Sequence, residues 1–252
     1  MKLFDSHAHY NDERFENDRK EVLEAVYKEG IEKVLNAGYG IESSKKAIEI
    51  AEQYDFVYAS VGVSPNDVGA DFKQIKELAK HSKVVAIGEI GLDYYWNKEN
   101  KELQKEIFIN QIEIANELNL PIIVHTRDAA GDVIDILKNK KQCKNKGVFH
   151  CCPLNRELVK EALKLDYYIS FAGAITFKNA KSADEIINMV PLDNMVIETD
   201  CPYLSPDPLR GKRNDSRNLK YIAEKIAKVK EMKVEQIAEI TYNNTKELFN
   251  LM

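Results

Sequence analysis

Short apolar runs alternate with longer amphipathic ones along the whole chain. Runs rich in Val, Ile and Phe fall at 3–5, 33–37, 56–62, 84–89, 122–125, 147–150, 168–171 and 195–199. Continuous apolar stretches of this kind suit strands buried on both faces. Between them, apolar positions recur at helical spacing. Phe108, Ile112, Ala115 and Leu118 do so within 101–119, and Val234, Ile237, Thr241 and Leu248 near the end. A predicted helix follows nearly every predicted strand, which implies an α/β fold of right-handed parallel βαβ units. Eight such units in 252 residues match a (β/α)8 TIM-like barrel, which takes about 250. A doubly wound open sheet is the alternative, but no G-x-G-x-x-G or G-x-x-x-x-G-K-[ST] follows any of the runs. No linker, repeat or low-complexity segment divides the chain, so a single domain over 1–252 is expected.

Composition narrows the class without changing the fold. An apolar fraction of 44% with 31% charged residues belongs to a soluble globular protein. No apolar run approaches the roughly 20 residues that span a bilayer, and the first residues lack a secretory pattern. The cysteines, Cys143, Cys151, Cys152 and Cys201, form no C-x-x-C pair, which suggests reduced thiols and a cytoplasmic location. A net charge of −5 argues against a surface that coats itself in nucleic acid. It leaves room for a local basic patch.

The chemistry lies with the histidines, of which there are five. His7 and His9 follow the first apolar run, His125 ends "PIIVH", and His150 ends "GVFH". All four fall at the C-terminal ends of predicted strands, the face on which barrel enzymes build their sites. Residues two apart on a strand point the same way, so His7 and His9 can both aim into the barrel mouth. His81 precedes a strand and is expected at the surface. Glu89 and Asp200 end the fourth and eighth runs. Buried carboxylates are costly unless paired or bound to a cation, and neutral imidazoles cannot neutralise them. Four imidazoles and two carboxylates exceed one tetrahedral site. They suit two divalent metal ions about 3.5–4 Å apart, with His7 and His9 in one half. Zinc, manganese and magnesium all fit the mixed donors.

The stretches "FDSHAHYND", "GEIGLDYYW", "PIIVHTRDA", "FHC" and "ETDCPYLSP…RGKRND" together resemble the TatD family of metal-dependent deoxyribonucleases, in the amidohydrolase superfamily. The resemblance runs end to end. It implies that His7 and His9 hold one metal, that Glu89 bridges both, and that His125 and His150 hold the second. It further implies that Asp200 binds the first metal and serves as general base. The implied activity is 3′→5′ exonucleolytic hydrolysis of phosphodiesters, preferring single-stranded DNA, by a monomer with no obligate protein partner and no membrane contact. Arg127 and the "RGKR" loop, with Arg210, Lys212 and Arg213, are then candidate phosphate contacts. Tyr94, Tyr95 and Trp96 are candidate base-stacking groups or loop packing. Asp93 is expected to orient a metal ligand. Asp5 is either such a supporting group or a polar core residue.

Two stretches depart from the family. Its usual G-x-H-P-x-D reads "GVSPND" here, with Ser64 for the histidine. A serine can give a substrate phosphate one hydrogen bond but carries no charge. After His150 the chain reads "HCCPLN", where the family has an aromatic and small residues, so Pro153 and Leu154 stiffen that loop. Both changes concern substrate rather than metal. They support an alternative: hydrolysis of a small-molecule ester or phosphoester, or of an aminoacyl-ended RNA, on the same centre.

Overall fold

Each of the eight apolar runs forms a strand: β1 (Leu3–Ala8), β2 (Ile31–Ala37), β3 (Val57–Val61), β4 (Val84–Asp93), β5 (Ile122–Arg127), β6 (Gly147–Phe149), β7 (Tyr168–Phe171) and β8 (Met195–Ile197). The structure is a computed structural model that describes residues 1–67, 71–96, 98–139 and 145–251. Cys143 lies outside the described residues. The strands pair in sequence order and all in parallel. Closure is made at the mouth: Asp200 N–H donates to the His7 carbonyl at 2.9 Å, and His9 N–H to the Cys201 carbonyl at 2.7 Å. The Ser6 hydroxyl adds a bond to the Ile197 carbonyl at 3.0 Å. The result is a nearly closed (β/α)8 barrel.

Among the described residues the sheet is wrapped by α1 (Arg19–Lys28), α2 (Ile41–Gln53), α3 (Phe72–Leu78), α4 (Lys101–Leu118), α5 (Ala130–Lys138), α6 (Arg156–Lys164), α7 (Ala183–Met189), α8 (Leu219–Lys230) and α9 (Val234–Leu248). Local chemistry sets several ends. Asp71 caps α3 by accepting from the Lys73 and Gln74 amides, and Asn155 caps α6 through the Leu158 amide. Asn119, at φ 54°, stops α4 in the left-handed conformation that asparagine tolerates.

The core has two shells. Helix faces pack on the outside of the sheet in one large cluster. A second cluster fills one end of the barrel with Phe4, Leu35, Val85, Ile123, Val148, Tyr168 and Val196, and Leu248 and Phe249 of the C-terminal helix region seal it.

Strand lengths differ from the expected runs in a way that bears on the site. β1, β4 and β5 run further, to Ala8, Asp93 and Arg127, whereas β8 stops at Ile197. β1 and β4 also carry an irregularity. Three steps of β1, Asp5 to Ala8, face two of β2, Val34 to Asn36. Three steps of β4, Ile87 to Ile90, face two of β5, Ile122 to Val124. An extra residue of this kind breaks strict alternation and re-aims the side chains around it. In β1 the slip spans Ser6 and His7, and in β4 it spans Gly88 and Glu89.

Candidate metal centre

The bulge in β1 gathers residues that plain alternation would separate. Phe4 lies in the core cluster at the far end, and an unbroken period of two would send Ser6 and Ala8, not His7, to the same face. With the extra residue, His7 Nε2 comes to 3.1 Å from His9 Nε2. Glu89 lies at the slip in β4. Gly91 lets that strand close on β5: a Cβ there would sit 2.0 Å from the His125 carbonyl oxygen, and its φ is 144°. Asp200 turns in at φ 53°, a conformation aspartate adopts more readily than most residues, with its amide tied to His7.

The two oxygens of Glu89 divide the cluster. Oε2 lies 3.5 Å from His7 Nε2 and 3.8 Å from His9 Nε2. Oε1 lies 2.8 Å from His125 Nδ1 and 3.5 Å from His150 Nε2, and those two nitrogens are 3.1 Å apart. Asp200 Oδ1 completes the first half, 3.3 Å from His9 Nε2 and 3.8 Å from His7 Nε2. Across the divide, the His7 and His150 rings stack at 4.2 Å.

The outer ring nitrogens fix the tautomers. His9 Nδ1 faces the Ala37 carbonyl at 3.1 Å, His125 Nε2 faces Asp93 Oδ2 at 3.1 Å, and His150 Nδ1 faces Glu198 Oε1 at 3.3 Å. These partners are acceptors only, so each outer nitrogen carries the proton. The inner nitrogens of the neutral rings are then bare lone pairs, aimed at one another and at carboxylates. Lone pairs converging at 3.1 Å repel unless a proton or a metal ion lies among them. His, Glu and Asp donors converge in this way in His7, His9 and Glu89, in Glu89, His125 and His150, and in His7, His150 and Asp200, with donor atoms within 4.8 Å of one another in each group. The residues present therefore fit divalent metal.

The electrostatics agree. Protons stand in for an ion here: burial pushes the Glu89 carboxyl up, but the charge of His150 and hydrogen bonds from His125, His150 and His7 outweigh it and hold it well below the usual range, while the carboxylates in turn raise His9, His125 and His150 against their burial. Asp200 is likewise raised by burial and lowered more by His9. His7 is depressed by burial and by the neighbouring His150 charge. The carboxylates thus stay ionised where imidazoles crowd.

Among the other expected residues, Asp93 meets its expected place: it holds His125 and accepts from the Tyr95 and Trp96 amides at 2.9 and 3.1 Å. Asp5 is buried and accepts from Thr199 and Ser216, which braces the turn before Asp200. His81 sits at the base of β4 against Glu52. The cleft above the centre has two joined lobes. One, of about 380 Å³, is lined by Ser64, Tyr39 and Trp96 together with the centre. The other, of about 390 Å³, is lined by Arg127, Cys151, Pro153 and Leu204. The Arg127 guanidinium stacks on Tyr95 at 3.8 Å and lies 5.5 Å from the Trp96 ring.

Two expectations are corrected. Tyr94 is 6% exposed, with its hydroxyl bonded to Asp132 at 2.6 Å, so it packs the loop and offers no face to a base. Arg213 grips both oxygens of Asp18, at 2.9 and 2.5 Å, and the Arg14 carbonyl at 2.6 Å. These bonds tie the loop to the segment before α1. Lys212 is exposed and lines neither lobe, and Arg210 stacks on Phe177 at 4.3 Å.

Sequence reasoning missed Glu198, Tyr39 and Tyr203. Glu198 is fully buried; besides His150, its Oε1 accepts from the Cys151 amide at 2.7 Å. Period two from Val196 could have found it. Tyr39 and Tyr203 flank His9 edge-on at 5.5 and 6.4 Å, in loops where periodicity gives no signal.

Comparison with known proteins agrees with this geometry. Residues 4–250 match the model of the family described as TatD related DNase. The chain is 47% identical over 253 residues to the Bacillus subtilis protein named uncharacterized metal-dependent hydrolase YabD, covering 99% of both chains. It is 39% identical over 257 residues to the Escherichia coli K12 protein named uncharacterized metal-dependent hydrolase YcfH, covering 100% of this chain and 97% of that one. Its fold superimposes on the crystal structure of YjjV, a TatD homolog from Escherichia coli K12, with a TM-score of 0.93 at 25% identity, over 99% of this chain and 98% of the other. With a family match spanning nearly every residue and the donor cluster at the barrel mouth, the chain belongs to the TatD-related DNase family.

Proposed function

We propose that this protein, a metal-dependent hydrolase of the TatD family, cleaves phosphodiester bonds at the 3′ end of single-stranded DNA with two divalent ions held at its barrel mouth. The observation that carries the reading is the division of Glu89, whose two oxygens face two different pairs of imidazoles. His7, His9, Asp200 and Glu89 would hold one ion, and His125, His150 and Glu89 the other. Zinc, manganese or magnesium suits the donors. When bound, such ions supply positive charge to the phosphoryl oxygens and acidify water at the site.

The chain's own groups supply the rest. Asp200 Oδ1 takes the proton from the attacking water, since it is ionised and stands at the edge of the cluster facing the cleft. Arg127, held flat by Tyr95, presents a guanidinium fork to a phosphate in the adjoining lobe. Trp96, 67% exposed on the rim, offers a face for stacking a base. Ser64 lines the cleft and gives one neutral hydrogen bond. The family's description as DNases supports nucleic acid as the substrate class.

The test is incubation with end-labelled single-stranded DNA in magnesium, manganese or zinc, beside Asp200→Asn. A ladder shortening from the 3′ end, lost in a variant that keeps its metal, is the expected result. A variant that loses metal and activity together would remove the base role. The second reading, a small ester or phosphoester or an aminoacyl-ended RNA as substrate, draws on Pro153 and Leu204, which line the lobe beside His150. Bound metal without any ladder would select it.

A further inference from the structure

The two halves of the centre are braced differently from behind. His9 leans on a main-chain carbonyl, and His7 Nδ1 is buried without a hydrogen-bond partner. Behind the other half stand two carboxylates, Asp93 on His125 and Glu198 on His150. Asp93 also caps the turn at Tyr95 and Trp96, so its presence has a second explanation. Glu198 is harder to account for. It is 0% exposed, and among the described residues no lysine or arginine pairs with it and its Oε2 has no hydrogen-bond partner. Its contacts are His150 and the amide of Cys151, a residue turned to φ 43°. A buried carboxylate satisfied on only one oxygen is costly unless positive charge lies close by.

We propose that Glu198 is the positioning residue for the ion held by His125 and His150, and that removing it weakens that ion's binding while sparing the one at His7, His9 and Asp200. This rests on the two-ion reading above. Glu198 keeps the proton of His150 on Nδ1, so that Nε2 turns its lone pair towards Glu89 and His125. The same oxygen anchors the Cys151 amide and fixes where the chain leaves His150. Carboxylates behind metal-binding imidazoles raise affinity by orienting the ring and increasing its basicity. Among the described residues no carboxylate bonds the outer nitrogen of either His7 or His9, so the effect should be one-sided.

The experiment is a calorimetric titration of chelator-stripped protein with manganese alone, with bound ions counted after gel filtration. Wild type, Glu198→Ala and Glu198→Gln are compared, and circular dichroism melting monitors the fold. Wild type should bind two ions per chain. In Glu198→Ala one binding step should weaken by about 10- to 100-fold, with the other unchanged. Glu198→Gln keeps an oxygen for both hydrogen bonds and loses only the charge, so it should weaken the same step by less. A merely structural role would lower the melting temperature and disturb both steps alike, and that outcome overturns the proposal. So does unchanged binding in a folded alanine variant. If the alanine variant does not fold, the glutamine variant decides by the same criterion of one step or both. A wild type that binds fewer than two ions overturns the two-ion reading itself, and this proposal with it.

Discussion

The two ends of the barrel use the same strands for opposite purposes. At the closed end, Phe4, Leu35, Val85, Ile123, Val148, Tyr168 and Val196 pack with Leu248 and Phe249 into a layer without a charge. Two residues further along five of these seven strands, about 7 Å up, stand Ser6, His125, His150, Ser170 and Glu198, with the apolar Ala37 and Ile87 on the other two. One step of alternation separates a layer that stabilises the fold from one that costs stability. Burying apolar side chains yields roughly 1.5–3 kcal/mol each, whereas buried imidazoles and carboxylates hold together only through one another or a cation. Stability and chemistry are therefore layered along the barrel axis, and substitutions in the two layers should fail in different ways.

The sharpest break is expected at Glu89, the group shared by both halves. Glu89→Gln keeps the shape but removes the charge, so bound metal and hydrolysis should both be lost, with melting in chelator unchanged or raised. Elemental analysis beside a melting curve checks both halves of that statement. Two ions retained in the variant would end the bridging role. At the closed end, Phe4→Ala should cost about 3–5 kcal/mol of stability and leave the folded fraction with its full metal content. Urea unfolding, with metal counted below the transition, separates the two. If metal leaves before the protein unfolds, the layers are coupled and the division fails.

Legibility from sequence divides along the same axis. The strands that build the closed end could be read directly from their apolar runs, since a hydrophobic signal needs no partner. His125, His150 and Asp200 were legible as polar groups ending apolar runs. For His7 the position was readable but its cause was not, because the inserted residue in β1 leaves no mark in the pattern. Alternation supported aiming His7 and His9 to one side, yet it takes the bulge to turn that side inward. Glu198 lies inside "VIETD", two residues before Asp200, and only period two from Val196 marks it. Arg213 was misread because its partner, Asp18, lies 195 positions away in sequence. A guanidinium's availability is a tertiary fact.

Smaller effects refine the picture at the rim. Arg127→Ala removes a guanidinium from the lobe but touches no residue of the cluster. KM for DNA should rise about tenfold with kcat nearly unchanged, the pattern of lost uniform binding, and the salt dependence of KM should flatten by about one phosphate contact. A fall in kcat alone would move Arg127 from binding to the reaction itself.

Arg213 should give the smallest effect, and it tests whether nearness in sequence to the family motif means function. Its guanidinium holds Asp18, whose carboxyl it keeps below the ordinary range, and both partners are substantially exposed. Exposed pairs contribute at most about 1 kcal/mol, and the contact to the Arg14 carbonyl adds little because water can replace it. Arg213→Ala should therefore lower stability by less than about 1 kcal/mol and leave KM for DNA within twofold. Asp18→Asn should give the same small loss, and the double variant no more than either alone, because each removes one pair. A tenfold rise in KM in Arg213→Ala but not in Asp18→Asn would mean that the guanidinium leaves Asp18 for a phosphate when substrate binds. The basic loop would then belong to the mouth.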